Sequence, residues 1–351
     1  MRDVEIVRGL LGDLRTGEPR GAGALTLVPL FGGRPGPRYL LAEDALAAGT
    51  LEIGELGQGV VPQLVARNKG PDPVLILEGE HLAGARQDRV LNVTVLVPAA
   101  SEIPIPVSCV ERGRWSYRGA ARFRVEPAFS PPRVRRTKVS SVATRRRRAG
   151  DALSDQGAVW DAVDRALFAA RAASPTGRLG DVVAERGRDL ERTVEAAGEP
   201  LPGQTGTLAV VGGRPAALDI FDRPETLRRL WPRLVRGYAL DALGAAATQV
   251  EEGAARGFLA RLAEGEATAH DGVGLGTEVV LTAPEAVGAA LVWREAVVHL
   301  AAFATGPEVR RSGDRPVRAA GPIEPPSRRR PSPGWGPGCW FGGGPTTGAW
   351  S

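Results

Sequence analysis

The stretch from residue 75 to 115, LILEGEHLAGARQDRVLNVTVLVPAASEIPIPVSCVERGRW, constrains this chain more than any other. Three apolar, β-branched-rich runs at 74–77, 90–97 and 103–110 read as strands. They carry polar residues that a plain core strand does not need. Period two places Ile76, Glu78 and Glu80 on one strand face and Leu75 and Leu77 on the other. It also aligns Val90, Asn92, Thr94 and Leu96, and Val107, Cys109 and Glu111. Polar residues in phase with core residues at strand ends have two readings. They form the rim of a pocket, or they end the strands and satisfy backbone groups.

The flanking segments define the architecture to expect. Residues 24–31 form an apolar run stopped by Gly32-Gly33-Arg34-Pro35. Residues 42–48 read as a short helix closed by Gly49. Runs at 51–53 and 60–66 precede the turn Asn68-Lys69-Gly70-Pro71-Asp72-Pro73. Spacing of about 8–12 residues between turn signals predicts a sheet-rich, mostly antiparallel domain over 1–128. Residues 129–150 are rich in Pro, Ser and Arg without apolar period. They read as an exposed linker, with Arg145 to Arg148 as a solvated run or a phosphate-binding patch.

From Asp151 the period becomes 3.6. Val159, Trp160, Val163 and Leu167 form one stripe behind a start signal at Ser154 or Asp155, and Val182, Val183 and Leu190 a second. Residues 207–211 and 216–221 read as a hairpin. Leu227, Leu230, Trp231, Leu234, Val235 and Tyr238 share a helix face that Pro232 must kink or divide. Residues 250–262 read as a helix, and 289–293 with 296–303 as closing strands. The expected fold is α+β: a sheet-rich half packed on a mixed half over 151–305. Residues 306–351, rich in Pro, Gly, Arg and Trp, read as a disordered tail.

Composition narrows the function classes. The net charge of +5 comes almost wholly from arginine, since Lys69 and Lys138 are the only lysines. This reads as compositional bias, with an arginine-rich nucleic-acid binder as the weaker alternative. Two cysteines, Cys109 and Cys339, give neither a disulfide framework nor a zinc pattern. The N-terminus MRDVEIVRGLLGD lacks a signal-peptide pattern. No apolar run reaches the roughly 20 residues a membrane span needs. A cytoplasmic protein without membrane partner is expected.

The chain has no GxGxxG or GxxxxGK[ST] phosphate loop, no GxSxG elbow and no HExxH. Glu78, Glu80, His81, Glu111 and His299 are the candidate metal ligands, but they are too scattered to assign a metal. In CVERGR an arginine follows Cys109 by five residues, the spacing of rhodanese and cysteine-phosphatase loops. Those loops run into a helix that lowers the thiol pKa. Here Trp115-Ser116-Tyr117 follows, so Cys109 is expected to be buried and structural. What remains is a carboxylate, amide and guanidinium constellation. Glu80 and Glu111 are candidate general acid–base residues. Gln87, Arg89, Asn92 and Arg114 are candidate ligand-binding residues suited to hydroxyl-rich or phosphorylated groups. Neighbouring antiparallel strand ends predict that Glu80, Gln87, Arg89, Asn92 and Glu111 meet, with Arg89 between the two carboxylates. The residues name no cofactor and leave catalysis and oligomeric state open.

GEHLAGARQDRVLN followed by IPVSCVERGRW resembles the ADP-ribosylglycohydrolase-and-rhodanese-phosphatase-associated protein domain. Its pattern falls here on Gly79, Glu80, Leu82, Gly84, Ala85, Gln87, Arg89 and Asn92. It resumes at Pro106 through Glu111, then Gly113, Arg114 and Trp115. Asp155-Gln156 with Trp160, Ser174-Pro175-Thr176, and His299-Leu300 with Phe303 also resemble the family, so the likeness runs from about Leu25 to Ala304. Asp88 stands where the pattern leads one to expect Asn. The family takes its name from genomic neighbours. The resemblance implies a pathway handling ADP-ribose or another NAD-derived phosphorylated nucleotide, with this chain processing or binding the ligand or serving as a non-catalytic scaffold.

Overall fold

The computed structural model describes residues 1–117 and 122–306. Helix α1 (Arg2–Asp13) leads into β1 (Arg15–Thr16), β2 (Arg20–Ala22) and β3 (Leu25–Phe31). Next come β4 (Leu40–Leu41), α2 (Ala42–Ala47), β5 (Leu51–Val60) and β6 (Gln63–Asn68). The central stretch supplies β7 (Val74–Ile76), β8 (His81–Gly84), β9 (Arg89–Leu91), β10 (Val95–Val97) and β11 (Ser101–Cys109), with β12 (Phe123–Val125) after it. Helices α3 (Pro132–Ala149), α4 (Gln156–Ala170), α5 (Leu179–Glu185) and α6 (Gly187–Ala197) follow. The chain continues with β13 (Gly206–Val211), β14 (Arg214–Phe221), α7 (Pro224–Ala242) and α8 (Ala254–Glu264). A meander of β15 (Glu266–Asp271), β16 (Thr277–Ala283), β17 (Ala286–Trp293) and β18 (Ala296–Ala304) closes it. This is an α+β protein.

The halves expected from the sequence are interleaved. A nine-stranded sheet runs β1-β3-β13-β14-β18-β17-β16-β15, with β2 on β3. In it β3 pairs with β13 from Leu30 opposite Gly206 to Leu25 opposite Val211. One face is covered by α1 and α8 through Val7, Leu10, Leu11, Phe258 and Leu262. The other packs on the later helices through Leu27, Val298, Phe303, Leu234 and Tyr238. A second sheet, β12-β8-β9-β11-β6-β5, and a small one, β10-β7-β4, carry the central stretch. The described residues fall within one compact unit.

Two differences from the sequence reading have physical causes, at α3 and at the run 90–97. The segment read as an exposed linker is α3, opened by Pro132 in the first turn and closed by Gly150 at φ 74°. Its buried residues are Val134, Arg135, Lys138, Val139, Val142, Ala143 and Arg146. These follow the helical period, but three are cations, so the stripe does not look apolar. The run 90–97 is two strands in different sheets. Between them Thr94 Oγ1 accepts from Glu78 N at 3.1 Å, and Asn92 N donates to Pro106 O. Helix α7 carries Pro232 without being divided. The tail expected over 306–351, with Cys339, lies outside the described residues from 307 onward.

Candidate functional site

Strands β8, β9 and β11 stage the central constellation. Arg89 pairs with Leu82 on one side and with Cys109 on the other. Cross-strand neighbours have Cβ atoms about 5 Å apart, so the guanidinium and thiol share one face. On the preceding loop Gly79 holds φ 82°, and a Cβ there would lie 2.4 Å from Arg135 Nε. That glycine is required for α3 to approach.

The two candidate acid–base carboxylates are both occupied. Glu111 is fully buried. It accepts from Arg114 Nε at 2.9 Å and from Arg114 Nη2 at 2.6 Å. It also accepts from Asp88 N and Thr176 Oγ1. Glu80 accepts from Arg233 Nη1 at 2.8 Å and caps Leu77 N. They lie toward opposite ends of β9: Leu91 N donates to Glu80 O, whereas Glu111 reaches Asp88. Among the described residues Arg89 pairs with neither carboxylate, its hydrogen bonds going to Gln87 and the Asp88 carbonyl. The reason is that Arg233 from α7, distant in sequence, reaches Glu80 first, and Arg114 folds back onto Glu111. Asn92 spends its amide on other partners, accepting from Ser108 Oγ at 2.6 Å and donating to Ala152 O. Gln87, Arg89 and Cys109 stay together, with Glu111 O beside the thiol.

Sequence reasoning missed the charges that hold the stage. Asp88 accepts from Arg178 Nε at 2.6 Å and faces His81 Nε2 at 3.3 Å. Arg178 also donates to Glu126 at 2.9 Å. Burial pushes the Asp88 carboxyl up, but His81, Arg178 and the Gly84 N–H outweigh it and hold it at about 2. Behind β7 lies a second cluster. Arg135 grips Asp219 with both terminal nitrogens and Glu78 through Nε at 3.0 Å. Lys138 pairs with the same Glu78, and burial lowers its ammonium to about 8 despite that partner. Thr94 Oγ1 accepts from Glu78 N and shares a second hydrogen bond with His299 Nδ1 at 2.7 Å. His299 Nε2–H donates to Asp219. No sequence motif marks these pairs, because each partner lies on a different element.

The candidate metal ligands are divided among these networks. Among the described residues no group of three or more His, Cys, Asp or Glu is arranged to hold a metal.

Around Cys109 the balance is different. The thiol donates to Gln87 Oε1 at 3.3 Å or Glu111 O at 3.3 Å. Burial pushes its pKa up, against Arg89 and the Trp160 indole. Gln156, in the first turn of α4, clamps its backbone, accepting from Cys109 N and donating to Cys109 O, each at 2.8 Å. Arg89 is 0% exposed. It spends Nη1 on Gln87 Oε1 at 3.1 Å, while its Nε and Nη2, like Trp160 Nε1, have no hydrogen-bond partner. Trp115, 39% exposed, packs its ring 5.9 Å from the Arg89 guanidinium and 5.6 Å from that of Arg86.

An α+β fold whose central stretch is locked by buried arginine–carboxylate pairs defines the class. The chain belongs to the ARPP-1 family, the ARG and Rhodanese-Phosphatase-superfamily-associated Protein domain, whose pattern matches residues 13–303. No curated protein gives a significant match, and no solved structure does so either. Among the described residues no helix is long and apolar enough to cross a membrane.

Proposed function

We propose that this chain is a non-catalytic binding module for a phosphorylated, NAD-derived nucleotide of the ADP-ribose type. The observation that carries the non-catalytic reading is the occupation of both candidate acid–base residues. Glu111 holds Arg114 through two hydrogen bonds, and Glu80 holds Arg233. A general acid or base must present a free oxygen to a substrate proton, and neither carboxylate does. Glu111 serves instead to fix Asp88 and Arg114 beside Gln87, Arg89 and Trp115, and Glu80 ties the loop after β7 to α7. The nucleotide class rests on the family description, which couples the domain to ARG and the rhodanese-phosphatase superfamily. Exposed Trp115 and Tyr117 beside Arg86 add stacking surface to that reading.

Calorimetric titration with ADP-ribose, followed by chromatography of the recovered ligand, tests it. Saturable binding with intact ligand is expected. Product formation that disappears in Glu111→Gln or Glu80→Gln, with each variant shown to be folded, would replace the binding reading with an enzymatic one.

A further inference from the structure

We propose that the Nε–Nη2 edge of Arg89, with the Trp160 indole N–H, is a subsite for one oxyanion group of a ligand, a phosphoryl group foremost, against the Cys109 thiol. This rests on the binding reading and gives it a location.

In three other arginines the same guanidinium edge is filled, and in Arg146, where it makes no hydrogen bond, the Glu278 carboxylate lies beside it. Arg114 uses Nε and Nη2 to hold both oxygens of Glu111. Arg236 does so with Glu191, and Arg145 with Asp151. Arg89 presents that edge with no partner, although it is wholly buried. Its single side-chain acceptor is the neutral Gln87. A buried cation without a counter-charge is strongly unfavourable, and a buried N–H without an acceptor costs more again. A fold that gives this cation no carboxylate partner of its own keeps a place for an anion supplied from outside. Two parallel N–H groups match the two oxygens of a phosphoryl or carboxylate group.

The surroundings fit that use. Trp160 turns its indole N–H toward the same thiol without closing a full hydrogen bond, and as an indole it can only donate. Cys109 has acceptors for its hydrogen in Gln87 and Glu111 O, which with burial keeps it a neutral wall. Trp115 contacts the Arg89 guanidinium and is itself partly exposed, so solvent is one side chain away.

The test uses the full chain and thermal unfolding with inorganic phosphate, sodium acetate and ADP-ribose as separate probes. A ligand that binds only the folded state raises the midpoint by mass action. Phosphate and ADP-ribose are expected to raise it saturably. A shift with acetate alone keeps the oxyanion subsite and makes its ligand a carboxylate. Arg89→Met is expected to raise the midpoint of the unliganded protein and to abolish the shift. Arg89→Lys retains the charge without the fork and is expected to fold and to bind at least about tenfold more weakly. Trp160→Phe should weaken phosphate without unfolding the protein. No shift with any probe, or a full shift in Arg89→Lys, overturns the subsite. Binding of ADP-ribose that ignores Arg89 also overturns it while leaving the proposed function standing. Phosphate binding through Arg89 with no ADP-ribose binding does the reverse.

Discussion

Arg135 of α3 holds Asp219 of β14 through two hydrogen bonds of 2.9 and 2.7 Å, with both side chains fully buried. The guanidinium also lies 4.9 Å from the Phe303 ring. This pair joins the nine-stranded sheet to the loop of Glu78, which the same arginine grips. Removing one member leaves an uncompensated charge in the interior. Arg135→Met should therefore destabilise by about 3–5 kcal/mol, read from urea unfolding. Adding Asp219→Asn to that variant should recover part of the loss. A loss under about 1 kcal/mol would show that water reaches the cluster.

Asp88 sets an acid limit. Its carboxyl is held at about 2 in the folded chain against an ordinary 3.8. A depressed folded pKa contributes stability above the unfolded value and loses it as pH falls through the window from about 4 to about 2. The contribution is on the order of 2 kcal/mol. Unfolding free energies at pH 5 and pH 3 should fall less steeply in Asp88→Asn than in the parent chain. Equal slopes would assign the acid sensitivity to other carboxylates.

Thr94 ties the central stretch to the last strand by accepting from Glu78 N and hydrogen-bonding His299 Nδ1. Thr94→Val keeps the shape and leaves both groups unpaired, at an expected cost of about 1–3 kcal/mol. Thr94→Ser should retain most of the stability. Similar losses in the two variants would mean that the methyl group, not the hydroxyl, matters there.

Cys109 should label slowly with thiol reagents in the native protein, measured with Cys339→Ser to remove the second thiol. Its side chain is 0% exposed and burial raises its pKa. Gln156→Ala removes both bonds that clamp its backbone and should speed labelling. Rapid labelling of the parent chain would instead revive a nucleophilic role.

Much of the fold was legible because it is written in local periodicity. Runs of period two announced β3, β6, β7, β11, β17 and β18, and stripes of period 3.6 announced α4 and α7. The prolines and glycines that bound these elements act through their own backbone, so they too could be read. Helix α3 escaped because Arg135, Lys138 and Arg146 occupy core positions on it. A cation counts as a surface residue until its counter-charge is known. The strands β15 and β16 escaped as well. No residue of β15 is buried, and its register is set by β16.

The same division runs through the site. The sequence alone named the candidate groups: Glu80, Gln87, Arg89, Asn92, Cys109, Glu111 and Arg114 all fall in one stretch. It also determined that Cys109 would be buried, since the thiol lies in phase within an apolar strand. Tertiary structure decided which of these groups are already taken. Arg233 comes to Glu80 from α7, Arg178 to Asp88 from the start of α5, and Gln156 to Cys109 from α4. The strength of an ion pair depends on separations of a few ångströms and on exclusion of water, and neither is a property of local sequence. Only the packed molecule leaves Arg89, alone among these groups, with an open edge.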